Sequence, residues 1–309
     1  MGQLTAIILG SAAGGGFPQW NCFCPVCRLA WAGDPRVKPR TQSSLAVSAD
    51  SRHWVLLNAS PDLRAQLQAT AELHPRLGSQ QELRHGSRNS PIAAVVLTGA
   101  EVDQTAGLLT LRERQPFTLC ATAETFSAVA ANPMFKVLAP EVVTRQTVAT
   151  GKSFTLPGGI DVELFMVPGK VPLYLEDKNP ELAREDGANV GIELSVGSSR
   201  LLYIPGAAAI TPALKTRLKR ANIIFFDGTL FTDDEMILTG TGTKTGRRMG
   251  HMPIDGEGGS LATLADLTAR RIYIHINNTN PILIDGSPER RKVAAAGWEI
   301  AEDGIRIEL

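Results

Sequence analysis

Apolar residues fall along this chain in short runs bounded by glycine, proline and small polar residues. In the first half the runs Thr5–Leu9, Leu45–Ser48, Trp54–Asn58, Ile92–Leu97 and Phe117–Ala121 are apolar on both faces, as buried strands are. Helical spacing predicts helices over Asp62–Ala71, Asp103–Arg112 and Ala123–Ala131. Asn58-Ala59-Ser60-Pro61-Asp62 reads as a strand-to-helix switch, with Ser60 as N-cap, Pro61 at the first helical position and Asp62 facing the positive helix end. The second half repeats the habit. Strands are predicted at Ile160–Val167, Gly191–Val196, Arg200–Ile204, Ile223–Asp227 and Arg271–Ile276, and helices at Pro212–Ala221, Gly259–Ala269 and Pro288–Ala295. Pro75–Asn89 is polar and reads as a surface excursion. Alternating strands and helices call for sheets covered by helices. Two such halves form an α/β four-layer αββα sandwich, one domain over 1–309, or else a doubly wound sheet. Periodicity alone does not separate the two.

The 309 residues carry 31 basic and 31 acidic side chains, so no polybasic face is offered to nucleic acid or to anionic lipid. No apolar run reaches the ~20 residues of a membrane span. The opening MGQLTAIILG lacks a basic region ahead of its apolar stretch, so it reads as a first buried strand, and a cytoplasmic protein is expected.

Three of the 4 cysteines crowd into Cys22-Phe23-Cys24-Pro25-Val26-Cys27. Close spacing and a reducing compartment disfavour a disulfide, whereas three thiolates around a stiff turn suit one tetrahedral zinc with a fourth ligand from elsewhere. Such a closed, thiolate-rich site is structural, and the Cys-rich loop near 20–28 is expected to be neither strand nor helix. Cys120, in the apolar run FTLCAT, reads as a packed small hydrophobe.

Other chemistry gathers at strand ends. Glu101 and Asp103 sit two apart in a loop leading into a helix, where ligands bind in open α/β folds. Asp103 could equally serve as a helix cap. Of 5 histidines, His53, His74 and His85 lie in polar or strand-edge contexts. His275 instead ends an apolar strand and opens the amide-rich run Ile276-Asn277-Asn278-Thr279-Asn280. His251 lies in a glycine-flanked loop, and Asp227 closes a strand where it could orient His251 as a proton carrier or simply form an Asp-Gly turn. Gly240–Lys244 fails as a P-loop because Thr243 stands where glycine is required, and Gly10–Gly16 lacks the dinucleotide-binding spacing. Both glycine runs read as loops lining a pocket.

CFCPVC, LTGAEVDQTAGLLTLRE, YIPGAA, FFDGTLFTDDEM, GTKTGRRMGHMPI and IHINNTNPIL together resemble the PqqB family of pyrroloquinoline quinone (PQQ) biosynthesis proteins, of metallo-β-lactamase fold. The likeness runs from about Gly10 to the C-terminus and implies the four-layer sandwich. Dizinc hydrolases of that fold carry H-x-H-x-D-H after the strand, and here the matching positions are Gly99, Glu101, Asp103 and Gln104. The resemblance puts Glu101, Asp103 and His275 around one active-site metal, with Gln104 standing where a histidine often follows. It assigns Asp227 and His251 to a proton relay. The bridging aspartate of dizinc members falls at Gly206, and a loop histidine near Gly169–Lys170. Related phosphodiesterases place a zinc-binding histidine where Asn278 stands, which leaves Asn278, Asn277 or water as the fourth zinc ligand.

The resemblance further implies an Fe(II)- and O2-dependent hydroxylase acting on the tyrosine ring of a cross-linked Glu–Tyr intermediate. His251 would be the base, and Lys244, Arg247 and Arg248 would hold substrate carboxylates. An alternative implied by the family is a non-catalytic carrier of PQQ or its precursor; a third reading, two-metal hydrolysis, lacks ligands. A homodimer and contacts with other PQQ biosynthesis proteins are compatible with the likeness.

Overall fold

Each half of the chain builds one sheet, and the two sheets face each other. The structure, a computed structural model, describes residues 3–76, 88–176 and 182–309. The first sheet contains β1 (Thr5–Gly10), β2 (Ser44–Ser48), β3 (Trp54–Leu57), β4 (Ile92–Val96), β5 (Phe117–Ala121) and β6 (Val143–Thr147) in chain order, with β14 (Arg306–Glu308) on the outer side of β1. The second runs β7 (Ser153–Leu156), β8 (Ile160–Met166), β9 (Val190–Val196), β10 (Ser199–Ile204), β11 (Ile223–Asp227), β12 (Arg270–Ile274) and β13 (Trp298–Ile300). In both sheets the pairing is antiparallel at one end and parallel at the other, over β3 to β6 and β10 to β13.

Strand alternation sorts side chains into three cores. Leu45, Val47, Val55, Leu57 and Val96 of the first sheet meet Val162, Leu164, Ile192, Tyr203 and Phe225 of the second. The opposite face of the first sheet, including Trp54, Leu56 and Leu97, packs Leu63 of α2 (Leu63–Ala69) and receives Phe126 of α4 (Ala123–Ala130). The outer face of the second sheet, with Ile204, Phe226 and Tyr273, is covered by α5 (Pro212–Leu218), α7 (Ser260–Thr263) and α8 (Pro288–Ala295). Fully burying side chains as large as Phe225 or Leu57 contributes about 1.5–3 kcal/mol each, so this four-layer arrangement is held mainly by apolar burial. Among the described residues, no helix is long and apolar enough to cross a membrane.

Several local expectations change. Pro25 starts α1 (Pro25–Trp31), so the cysteine loop does run into a helix, and Cys24 is its N-cap. Helix α2 begins later than the Ser60 reading placed it; Asp62 stands at its N-cap, while the Ser60 hydroxyl donates to Gln66 Oε1 at 3.0 Å instead of capping. The helix expected over Asp103–Arg112 is one turn of α-helix, α3 (Val102–Thr105), continued as 3₁₀ over Ala106–Arg112. There Glu101, not Asp103, is the N-cap, and its N–H donates to Gln104 Oε1 at 3.1 Å. The expected helix at Gly259–Ala269 shortens to α7. The segment read as a surface excursion and His85 lie largely outside the described residues.

Candidate active site and thiol cluster

Loops following β1, β4, β10, β11 and β12 enclose a cavity of about 780 Å³ at one rim of the sandwich. Asp103 enters it from the start of α3, and His275 from the end of β12. His275 Nε2 lies 2.8 Å from Asp103 Oδ2. His275 holds φ at 59°, a left-handed conformation that costs a non-glycine residue free energy and turns its ring out of the strand. Backbone hydrogen bonds of the next residue pin it there: Ile276 N donates to Ser11 O and Ile276 O accepts from Ala13 N, each at 2.9 Å.

Behind this pair, one hydroxyl organises three charged or titratable groups. Thr229 Oγ1 is 2.6 Å from Asp227 Oδ1, 2.9 Å from His275 Nδ1 and 3.1 Å from His251 Nδ1. A hydroxyl has a single proton, and the shortest contact, to a carboxylate, takes it. Thr229 therefore accepts from His275 Nδ1–H. His251 Nδ1 faces Asp227 Oδ2 at 2.8 Å and donates there. Both rings thus turn Nε2 toward the cavity, stacked with centroids 5.2 Å apart. Asp227 is wholly buried and accepts four contacts, since Thr229 N donates to Oδ1 at 3.0 Å and Ala207 N to Oδ2 at 2.9 Å. Burial alone would raise its pKa; His251, His275 and Thr229 outweigh burial and hold it below the usual carboxylate range. Although the ligand atoms of Asp227, His251 and His275 lie within 4.8 Å of one another, a carboxylate so saturated orients its neighbours better than it binds an ion.

The sequence does not single out Thr229; of Asp227-Gly228-Thr229 it gives a part only to Asp227, as the partner of His251 or in an Asp-Gly turn. Thr229→Val keeps its shape and removes the hub, leaving Asp227 Oδ1 and an imidazole N–H short of partners in a buried place. We expect a loss of about 1–3 kcal/mol in denaturant unfolding, with Thr229→Ser close to wild type. Equal stability of the valine variant would refute the hub.

The positions that carry ligands in dizinc members are not merely glycine; their space is filled. A Cβ at Gly206 would stand 3.2 Å from His251 Cε1, one at Gly169 2.4 Å from Asn189 Nδ2, and one at Gly99 2.7 Å from Gln104 Oε1. Gln104 is thus engaged as the partner of the Glu101 N–H. Glu101 lines the cavity, but its Oε1 accepts from Lys170 Nζ and Leu173 N, each at 3.1 Å. Lys244 Nζ and Arg248 Nη1 both lie 3.3 Å from Glu176 Oε2. Arg247 points elsewhere: its Nη2 donates to Glu257 O at 2.7 Å and its backbone N–H to Asp233. Lys170 and Glu176, neither proposed from sequence, sit in the largely apolar, proline-containing stretch 166–176, with no local signal to mark them.

The sulfurs of Cys22, Cys24 and Cys27 lie within 4.8 Å of one another. Tetrahedral zinc with bonds of ~2.3 Å sets sulfurs ~3.8 Å apart, so the cluster has the right scale. The Asn278 side chain closes the fourth side, with Nδ2 at 3.1 Å from Cys22 Sγ, 3.3 Å from Cys27 Sγ and 3.8 Å from Cys24 Sγ. A half-turn of that amide presents Oδ1 in the same place, as a cation would require. Asn277 turns away, its Nδ2 donating to Thr279 Oγ1 at 2.6 Å. The Cys27 thiol and backbone N–H hydrogen-bond to Cys24 and, against the opposing effect of burial, bring the Cys24 thiol down to about 5; Cys27, the proton donor of the pair, shifts upward. Cys120 is fully buried in β5, where burial raises its thiol to about 12.

The family described as beta-lactamase superfamily domain matches residues 53–276. "Coenzyme PQQ synthesis protein B" of Methylobacterium sp. (strain 4-46) is 56% identical over 307 residues, covering 99% of this chain and 100% of the relative. The protein of the same name from Rhizobium meliloti (strain 1021) is 54% identical, over 99% of this chain and 98% of its own. Among solved structures, Zn(2+)-bound PqqB from Methylobacterium extorquens superposes with a TM-score of 0.94 at 54% identity, covering 99% of this chain and 100% of that one. A diphosphatase of the PhnP family, at 22% identity over 99% of this chain and 97% of its own, shares the fold with a TM-score of 0.66.

Proposed function

This chain belongs to the beta-lactamase superfamily and, within it, to the coenzyme PQQ synthesis protein B family, acting in PQQ biosynthesis, and from that membership we propose that its cavity binds one metal ion and oxygenates a PQQ precursor. The observation that carries the reading is the 2.8 Å contact between Asp103 Oδ2 and His275 Nε2. Two ligand atoms each ~2.1 Å from one ion and at right angles lie ~3 Å apart, so the pair is spaced as one edge of a coordination shell. Asp103 and His275 would hold the ion. Glu101, in the same cavity, would complete the set on parting from Lys170. Iron held there would supply oxygen-activating chemistry.

The rest falls to the chain's own residues. Asp227 fixes His251 with Nδ1–H inward and Nε2 outward, so His251 is a base placed to take a phenol proton from a tyrosine-derived ring. Lys244, which lines the cavity, and Arg248, beside it on Glu176, suit substrate carboxylates. Arg247, bonded to Glu257 O, has a lesser part. Zinc at Cys22, Cys24 and Cys27, with Asn278 fourth, would staple α1 to the loop that carries His275. Hydrolysis by two metals is disfavoured because Gly206 offers no carboxylate at the bridging position, and a Cβ there would stand 3.2 Å from His251 Cε1.

The test is aerobic and anaerobic incubation of the iron-loaded protein with the cross-linked Glu–Tyr compound and a two-electron reductant such as ascorbate, followed by mass spectrometry. Gain of one oxygen atom, the other leaving as water, is expected only with iron, air and the reductant together. Tight binding of PQQ without turnover under any condition would replace this reading with that of a carrier.

A further inference from the structure

At the cavity mouth three cations converge on one carboxylate of the chain itself. Glu176 is the only acid that all three touch among the described residues: Lys170 Nζ is 2.7 Å from Oε1, and Lys244 Nζ and Arg248 Nη1 are each 3.3 Å from Oε2. Its side chain is 6% exposed, Lys170's is 11%, whereas Lys244 and Arg248 remain at 38% and 33%. The acid is therefore driven inward and the two outer cations stay open to solvent. With Glu101 on Lys170 the cluster counts three positive charges against two negative ones. Removing Glu176 would leave three cations facing one another around a single carboxylate. Leu173 and Tyr174, just ahead of Glu176, line the same cavity yet are 60% and 45% exposed, so little apolar packing holds this stretch down.

We infer that Lys170, Lys244 and Arg248 form a subsite for a carboxylate of the ligand, and that Glu176 fills this subsite in the free chain and is displaced when a carboxylated ligand enters. The inference rests on the reading of the cavity as the site of a PQQ-related compound. Exchanging one carboxylate for another preserves the charge balance of the cradle. A neutral ligand offers no such exchange and leaves Glu176 in place, so the internal acid also selects for anionic ligands.

Calorimetric titration of the full-length protein with PQQ, a tricarboxylate, and with its trimethyl ester tests this. Glu176→Gln is expected to bind PQQ about tenfold more tightly than wild type and the ester with unchanged affinity. The double variant Lys244→Ala/Arg248→Ala is expected to bind PQQ at least about tenfold more weakly. Equal or weaker PQQ binding by Glu176→Gln overturns the inference, as does failure of every variant to bind PQQ. Should Glu176→Gln not fold, a crystal structure of the wild type with PQQ decides: a ligand carboxylate on Lys244 and Arg248 with Glu176 moved away supports it, and Glu176 still bridging the three cations overturns it. These results are separable from the iron chemistry, since absence of oxygen-dependent turnover with tighter PQQ binding by Glu176→Gln would sink only the oxygenase reading.

Discussion

Asp103→Ala and His275→Ala are each expected to weaken Fe(II) binding in the cavity by at least about 100-fold, while zinc stays at about one ion per chain. Loss of an outer partner of a ligand typically costs 10–100-fold, and loss of a ligand from so sparse a set costs more. Replacement ligands are scarce because glycines stand at positions 99, 169 and 206, where an added Cβ would crowd Gln104, Asn189 and His251. The affinity also carries a proton. Burial alone would lower the pKa of His275; the Asp103 carboxylate, with Asp227 and Glu101 beyond it, outweighs that and holds it above the ordinary histidine value. An entering cation must displace the Nε2 proton that Asp103 accepts. Below the raised pKa, affinity therefore climbs about tenfold per pH unit, and above it the curve flattens. In Asp103→Asn the lift from the carboxylate is gone, so the weaker binding that remains flattens at a lower pH. Fe(II) titrations across pH check both parts. An unchanged affinity in His275→Ala would place the ion elsewhere.

How much of this was legible beforehand depends on what each residue's partners are. Strands β3, β4 and β11 announce themselves because both faces are buried and their residues are almost wholly apolar, and β12 does so through its buried second half, Ile272-Tyr273-Ile274. The edge strands β6 and β7 do not: Val143-Thr144-Arg145-Gln146-Thr147 alternates weakly and is largely exposed, since a sheet edge has only one neighbour to pack and pair with. Helix α1 was hidden because its N-cap is a thiol, Cys24, rather than the serine, threonine or acid that marks most helix starts. Glu101 and Gln104 matched the positions of metal ligands, but their mutual hydrogen bond is a capping interaction, a local use that the loop's register to the ligand motif obscured. His251 and Asp227 could be paired through the resemblance. Thr229 could have been suspected from strand alternation: the residue two beyond Asp227 returns to the same side. Lys170 and Glu176 gave no warning, because a three-cation cradle assembled from distant loops is a purely tertiary feature.

Cys27→Ser should release the zinc and lower the melting temperature by about 10 °C or more, with metal analysis and thermal unfolding as the measurements. The size of the effect follows from where the cluster sits. Cys24, Val26 and Cys27 belong to the core that joins α1 to the outer face of the second sheet, and Cys27 is fully buried. Without the ion, the Cys24 and Cys22 thiols face one another and the Asn278 amide with no charge to gather them, and a serine hydroxyl brings a shorter, harder donor into the same pocket. Cys120→Ser is the control. It is just as buried, in β5 between apolar neighbours, so it loses only packing and buries a hydroxyl, about 1–3 kcal/mol, with the zinc content intact. The consequence extends beyond stability. Asn278 lies three residues after His275, and Ile276 between them bonds on both sides, donating to Ser11 O and accepting from Ala13 N at 2.9 Å each. Freeing Asn278 therefore loosens the left-handed turn at His275, and Fe(II) affinity in the cavity should fall together with the zinc. Full zinc content in Cys27→Ser would remove the thiol cluster from the metal account, and zinc loss with undiminished Fe(II) affinity would sever the coupling between the two sites.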